Sequence, residues 1–135
     1  MKKILVGTDT TASADLAVAD AAELARARGA ELLVLYVQPE HDLRAVVDPG
    51  KAANPETYLA SLPRRFDGVT TTTRVIKGDP AEQICQIAAD ECADTIVVGN
   101  RGAHGSWWRV RDSIPNLVLR HSPCSVYVVD TRRAQ

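Results

Sequence analysis

The segment from Ala93 to Asp130 reads ADTIVVGNRGAHGSWWRVRDSIPNLVLRHSPCSVYVVD and decides the fold. Its first apolar run, Thr95 to Val98, is β-branched and stops at Gly99, and its last run, Ser125 to Val129, has the same character. Runs of this kind are typical of strands that are buried on both faces, as in parallel sheets. The segment therefore predicts two buried strands with a long connection between them.

That connection has the composition of a loop that approaches a ligand. It contains Gly99, Gly102 and Gly105, and Ser113 is placed to open a helix that runs to Arg120. Glycines let a backbone come close to a ligand, and a helix N-terminus presents unpaired N–H groups to an anion. The arrangement predicts a phosphate or other anion site, although the same glycines could simply turn the chain. Three arginines of the loop could attract phosphate or be solvated or paired instead: Arg101, Arg109 and Arg111.

Length and composition favour one compact domain over residues 1–135, because 135 residues at 45% hydrophobic content can enclose a core. The formal net charge of -1 gives no basic field for nucleic acid, so we expect no nucleic-acid partner. No apolar stretch is long enough for a membrane span or a signal peptide, which favours a cytoplasmic protein. The cysteines Cys85, Cys92 and Cys124 form no C-x-x-C pair and are expected to be buried, reduced thiols.

The first 37 residues predict a β-α-β unit. Lys3 to Thr8 forms an apolar strand, Ser13 to Arg28 has helical periodicity and ends before Gly29, and Glu31 to Val37 forms a second buried strand. Two parallel strands require such a crossover helix between them.

The remaining elements complete an α/β pattern. After a long loop over residues 38–54, Pro55 to Leu62 predicts a short helix that Pro63 ends, and Val69 to Lys77 predicts a strand at or near a sheet edge. Asp79 and Pro80 are a helix start. The apolar stripe of that helix is Ala81, Ile84, Cys85, Ala88 and Cys92. The sum is an open, mostly parallel, five-stranded sheet with helices on both faces, and Ser125 to Val129 lies at its edge.

Ligands in such sheets bind beyond the carboxyl ends of the strands. Two of these ends carry polar or glycine chemistry: Thr8, Asp9 and Thr10 follow the first strand, and Gly99 follows the fourth. We expect the two ends to lie side by side and to form one site. Asp9 could contact a ligand there, or it could only cap the first helix.

At these residues the chain resembles the universal stress protein family, and the resemblance covers nearly the whole sequence. The similar segments are ILVGTD ending at Asp9, LLVLYV ending at Val37, and GDPAEQI beginning at Gly78. The most specific is Gly99-x2-Gly102-x9-Asp112-Ser113, which is similar to the motif Gly-x2-Gly-x9-Gly-Ser/Thr of the family's nucleotide-binding branch. The resemblance implies a Rossmann-like, adenine nucleotide alpha hydrolase-like fold with strand order 3-2-1-4-5.

The resemblance also implies roles for individual residues. Asp9 and Val37 would border adenine and ribose, Gly99 and Gly102 would approach ribose and phosphate, and Ser113 with Ile114 would hold the outer phosphates. No permanent cofactor is expected, and Mg²⁺ could accompany the nucleotide. The candidate nucleotide-binding residues are Thr8, Asp9, Val37, Val98, Gly99, Arg101, Gly102, Asp112, Ser113 and Ile114.

Two positions depart from the family pattern. Asp112 stands where the third glycine of the motif is expected, and Thr10 stands where a glycine is more usual. A carboxylate close to a triphosphate in a partly wet site costs on the order of 1–4 kcal/mol. Asp112 therefore opposes the binding of several phosphates if it faces the site.

These features support three functional interpretations. The first is a cytosolic, non-catalytic stress protein that binds ATP or a related adenine nucleotide and acts through an unidentified protein partner. The second is a dimer that does not bind nucleotide and serves as an interaction module, with Trp107 and Trp108 of the loop as its contact surface. The third, a slow ATP hydrolase, ranks last because no nucleophile and general base are paired in the sequence. The resemblance further implies a homodimer that pairs Ser125 to Val129 of two chains.

Replacing Asp112 with glycine tests whether its charge faces a nucleotide. We expect Asp112→Gly to strengthen ATP binding, because a negative charge beside the phosphates is removed. Calorimetric titration with ATP at fixed ionic strength measures this effect. Unchanged affinity would show that the carboxylate points elsewhere or that the site is absent.

Overall fold

A computed structural model describes residues 2–38, 54–100 and 114–131, in which strands and helices alternate along the chain. The strands are β1 (Lys3–Thr8), β2 (Glu31–Gln38), β3 (Thr71–Lys77), β4 (Thr95–Gly99) and β5 (Ser125–Val129). The helices are α1 (Ala12–Arg28), α2 (Pro55–Arg65), α3 (Pro80–Asp90) and α4 (Ile114–His121). None of these helices is long and apolar enough to cross a bilayer.

The five strands form one parallel sheet in the order β3-β2-β1-β4-β5, which confirms the predicted topology. Thr8 at the end of β1 is paired with Tyr36 of β2, and Gly99 at the end of β4 is paired with Val129 of β5. β1 lies between β2 and β4, so the chain adds β2 and β3 on one side of β1 and then β4 and β5 on the other. The carboxyl ends of β1 and β4 are therefore neighbours, as the sequence predicted.

The helices cover the two faces of the sheet in separate layers. Ile4 and Val6 of β1 join the core under α1 and α2, whereas Leu5 joins the core under α3 and α4. All three side chains are fully buried, and each contributes roughly 1.5–3 kcal/mol through removal of apolar surface from water. The alternation fixes which face every later residue of β1 must take.

The helix boundaries follow local capping chemistry. The Thr11 hydroxyl accepts a hydrogen bond from the Ala14 N–H at 3.1 Å at the start of α1, and Gly29 ends that helix in the left-handed conformation with φ 64°. Asp79 accepts from the Glu82 N–H at 3.0 Å and Pro80 follows in the first turn of α3. Both predicted helix starts lie within one residue of the observed ones.

The predicted end of α2 at Leu62 is wrong, because the helix continues through Pro63 to Arg65. A proline in the last turn removes one backbone hydrogen bond. Leu62 and Phe66 on either side of it are buried in the core, and Arg65 pairs with Asp15 of α1. These tertiary contacts keep the last turn helical despite the proline.

Two expectations about burial are also wrong. Strand β5 lies at the sheet edge as predicted, but it is not buried on both faces, since Tyr127 is 46% and Val128 38% exposed. Cys92 is not part of the helical core stripe: it follows the end of α3, is exposed and has φ 54°. Cys85 and Cys124 are half-buried, and all three cysteines are free thiols.

Candidate functional site

The carboxyl end of β1 continues into a buried, hydrogen-bonded turn over residues 8–11. Asp9 Oδ1 accepts from the Thr11 N–H at 3.1 Å and from the Thr11 hydroxyl at 2.5 Å. The Thr10 N–H donates to the Thr8 hydroxyl oxygen at 3.0 Å. Oδ1 of Asp9 therefore supports Thr11, the residue that caps α1.

Thr10 is strained within this turn. Its φ of 68° lies in the left-handed region, which costs a residue with a Cβ roughly 1–2 kcal/mol. Its hydroxyl is buried and has no hydrogen-bond partner in the described part of the chain. Strained residues of this kind concentrate at ligand sites, where the surrounding structure holds them. Thr10 was not among the candidate residues. The sequence offered one signal for it, because a threonine stands there where the family more usually has a glycine.

The end of β4 is shaped by a close contact with the residue after β5. A Cβ added to Gly99 would lie 2.7 Å from Cγ2 of Thr131, so only glycine fits without movement. Asn100 fixes this contact: its Oδ1 accepts from the Thr131 N–H at 3.0 Å, and its own N–H donates to the Val129 carbonyl at 2.9 Å. Packing alone thus accounts for Gly99. The sequence did not indicate this role of Thr131, because the residue lies 31 positions from its partner Asn100.

The structure brings the described candidate residues to one edge but to different faces. Val37, Val98 and Ile114 pack together in the core under α3 and α4 and are at most 5% exposed. Thr8 takes the opposite face, in line with Ile4 and Val6 of the same strand. Four candidates lie outside the described residues, as do Trp107 and Trp108: Arg101, Gly102, Asp112 and Ser113.

The electrostatics of the edge suit a polar or anionic group. Helix α1 begins directly after the turn, and the first N–H groups of a helix carry its partial positive charge. Asp9 places a carboxylate beside them. Among the residues of the described ranges, no three His, Cys, Asp or Glu side chains converge as a metal site. The edge therefore combines the partial positive charge of a helix N-terminus with one neighbouring carboxylate.

A surface groove of about 560 Å³ lies elsewhere, between α3 and α4. Asp79, Glu82, Cys85, Leu117 and His121 are among its lining residues. None of the described candidate residues lines it. Burial, with the neighbouring Cys124 thiol as a second cause, raises the pKa of the Cys85 thiol, which disfavours the reactive thiolate.

The sequence and the fold match known proteins. The sequence profile of the universal stress protein family matches residues 1–130. A universal stress protein of Thermus aquaticus is 31% identical and aligns over 95% of this chain and 98% of its own length. One of Synechocystis is 43% identical over 56 residues, which is 42% of this chain and about half, 52%, of that protein. A solved universal stress protein in complex with cAMP is 25% identical, covers 96% of this chain and 97% of its own, and has a TM-score of 0.77.

The contact between Gly99 and Thr131 gives a test that needs no ligand. We expect Gly99→Ala to lower the free energy of unfolding by about 1–3 kcal/mol, because the new methyl group meets Thr131 Cγ2. Thr131→Ser removes that methyl and keeps the hydroxyl. In the double variant the two changes should therefore cost less than their sum. Urea denaturation of the four proteins measures the coupling, and strictly additive losses would contradict the contact.

Proposed function

Because the chain belongs to the universal stress protein family, we propose that it binds an adenine nucleotide at the carboxyl edge formed by β1 and β4. The role we propose is regulatory and non-catalytic, in the cytosol, as part of a stress response. The observation that carries the proposal is the juxtaposition of the strained Asp9–Thr10 turn with the glycine end of β4. The family relationship and the cAMP complex of the similar solved protein support the ligand class.

We propose a role for each candidate residue of the edge and of the loop that follows β4. The backbone of Val37 and the Asp9 carboxylate would border adenine and ribose, because they end neighbouring strands. The backbone of Gly99 would approach the ribose from β4. The residues proposed to contact the phosphates are Gly102, Ser113 and the N–H of Ile114. Arg101 would attract the phosphates, and Asp112 would oppose the binding of several of them. We propose that any Mg²⁺ arrives with the nucleotide's phosphates.

A catalytic function is less well supported. Hydrolysis of ATP requires a group that activates water or another nucleophile. The described contact between the Thr11 hydroxyl and the Asp9 carboxylate has that chemistry, but the same hydroxyl accepts from the Ala14 N–H and caps α1. The Thr11 hydroxyl and Oδ1 of Asp9 are therefore committed to the turn. We therefore propose a binding protein rather than a hydrolase.

We also propose a homodimer that pairs β5 of two chains. Strand β5 is an edge strand whose Tyr127 and Val128 are partly exposed, and Leu119 of α4 is 55% exposed. An apolar edge strand without charged side chains can add a second strand by backbone hydrogen bonding. The same patch supports the alternative function, a dimeric interaction module without nucleotide.

Titration of the purified protein tests the nucleotide proposal. We expect ATP, ADP, AMP or cAMP to bind with a micromolar dissociation constant, about 8 kcal/mol of binding free energy. Asp9→Asn should weaken that binding by about tenfold, because a charged hydrogen-bond acceptor is lost. Calorimetry with and without Mg²⁺, at one ionic strength, measures both.

Asp94→Asn is the matched control. Asp94 precedes β4 at the opposite end of the sheet, where its N–H donates to the Lys3 carbonyl at 2.9 Å, so its variant should bind like the wild type. Equal losses in both variants would contradict a site at Asp9. An absence of binding at millimolar concentrations of all four nucleotides would favour the interaction module.

A charge on the β5 edge tests the dimer. We expect Val128→Lys to shift the protein from dimer to monomer in sedimentation experiments, because the ammonium group cannot be solvated inside a strand pairing. Val75→Lys on the other edge strand, β3, is the control, since Val75 is also exposed, at 53%. A wild-type monomer, or equal effects of both variants, would refute pairing through β5.

A further inference from the structure

The Thr10 hydroxyl differs from the other polar side chains of the turn after β1. Side-chain oxygens of Thr8, Asp9 and Thr11 all take part in hydrogen bonds inside the turn. The side-chain oxygen of Thr10 is buried and makes no hydrogen bond to any residue that the structure describes. The whole residue is only 4% exposed, so bulk water cannot supply the missing partner. Since most buried hydroxyls in folded proteins are hydrogen-bonded, this one requires a reason.

A threonine at position 10 costs stability in two ways. Its φ of 68° lies in the left-handed region, which a glycine would adopt without strain. Its hydroxyl is removed from water without a compensating hydrogen bond among the described residues, which a valine of similar shape would avoid. The stability of the free chain therefore does not account for the hydroxyl. A hydrogen-bonding group that arrives with a ligand does account for it.

Thr10 lies where a ligand of the carboxyl edge would be bound. Strand β1 ends at Thr8 between β2 and β4, and Thr10 is the second residue beyond that end. Helix α1 follows directly, with Thr11 as its N-cap, and the first N–H groups of a helix have no acceptor within the helix. The unpartnered hydroxyl thus belongs to the residue between the proposed nucleotide edge and the positive end of α1.

The chemistry of a hydroxyl favours the ribose as its partner. A threonine hydroxyl both donates and accepts, as a sugar hydroxyl does, whereas the oxygens of an ionised phosphate only accept. In the proposed site, Val37 of β2 would border adenine and ribose and Gly99 of β4 would approach the ribose, and Thr10 follows the strand between them. The 2′-hydroxyl is the only ribose hydroxyl that AMP, ATP and cAMP all keep free, because the 3′-oxygen of cAMP is esterified.

We propose that the Thr10 hydroxyl hydrogen-bonds the ribose 2′-hydroxyl of the bound nucleotide, so that the site prefers ribonucleotides to 2′-deoxyribonucleotides. The inference rests on the proposed function for its ligand and adds the side chain that recognises the sugar. A site that pairs a buried hydroxyl with a ligand hydroxyl rejects the analogue without it, because the protein group is then left unpaired. Since the Thr10 hydroxyl is buried in the free protein, the nucleotide must displace the groups that cover it.

Thr10→Val tests the proposal, because valine keeps the β-branched shape and removes the hydroxyl. We expect the wild-type protein to bind AMP about tenfold more tightly than 2′-deoxy-AMP. Thr10→Val should bind AMP about tenfold more weakly than the wild type and 2′-deoxy-AMP equally well, so that the preference disappears. Calorimetry of both proteins with both nucleotides, at one ionic strength, isolates the contact between the two hydroxyls.

Thr71→Val is the matched control. Thr71 is also buried, but its hydroxyl donates to the Val69 carbonyl at 3.2 Å, and it begins β3 at the opposite end of the sheet from the proposed site. This variant should keep the preference for AMP. Thr10→Ser and Thr10→Ala cover a loss of folding in Thr10→Val. Serine should keep the preference and alanine should lose it, because the two side chains differ only in the hydroxyl.

The stability of the nucleotide-free protein gives a second measurement. Because the Thr10 hydroxyl has no partner in the described chain, we expect the urea midpoint of Thr10→Val to equal or exceed that of the wild type. A purely structural hydroxyl would instead lower the midpoint when it is removed. A lower midpoint would therefore show that the hydroxyl is already hydrogen-bonded without nucleotide, and it would overturn the proposal.

The outcomes separate this inference from the proposed function. If the wild type binds AMP and 2′-deoxy-AMP equally, or if the preference for AMP survives in Thr10→Val and Thr10→Ala, the proposed function stands and Thr10 does not recognise the ribose. If the wild type binds no adenine nucleotide at millimolar concentration, the proposed function fails and this inference fails with it.

Discussion

The burial of β1 on both faces is the constraint on which the rest of the structure depends. β2 and β4 flank the strand, and its residues Ile4, Leu5 and Val6 have no exposed surface. A strand in this position can carry polar side chains only where it leaves the sheet, because an unpaired polar group in the core is costly. After Lys3 at its start, the next polar residues, Thr8 and Asp9, accordingly stand at its carboxyl end. The reversal of connections at β1 keeps that end beside β4.

The turn after β1 combines an unfavourable backbone with an unusually complete set of supports. Thr10 is left-handed without being glycine, yet the side chains of Thr8, Asp9 and Thr11 each make a hydrogen bond within the turn. A local conformation of this cost persists only where its surroundings determine it. The two helical layers therefore contribute differently. The N-terminus of α1 holds the turn through the Thr11 cap, and the layer of α3 and α4 contains Val37 and Val98.

The sequence was informative where the signal was local and uninformative where the partner was distant. Apolar runs identified the buried strands, and Asp79 with Pro80 identified the start of α3. The continuation of α2 beyond Pro63 could not be predicted, because it depends on core contacts and on a pairing between Arg65 and Asp15, 50 residues apart. The need for glycine at position 99 was likewise invisible, since Thr131 creates it. For the candidate site, the sequence located the edge, whereas it could not assign side chains to faces before the register of β1 was known.

The two edges of the sheet differ in a way that bears on assembly. Strand β3 carries Arg74 and Lys77, and Arg74 lies 3.4 Å from a carboxylate oxygen of Glu91, so an incoming strand would meet charged side chains. Strand β5 reads SVYVV and has no charged residue. Charged edge strands resist pairing and uncharged apolar ones permit it. The edge that permits pairing is also the one next to β4, where Val129 is paired with Gly99. In a dimer that pairs through β5, only β5 would thus separate the second chain from β4 at the proposed ligand edge. The strained turn follows β1, which is the next strand beyond β4.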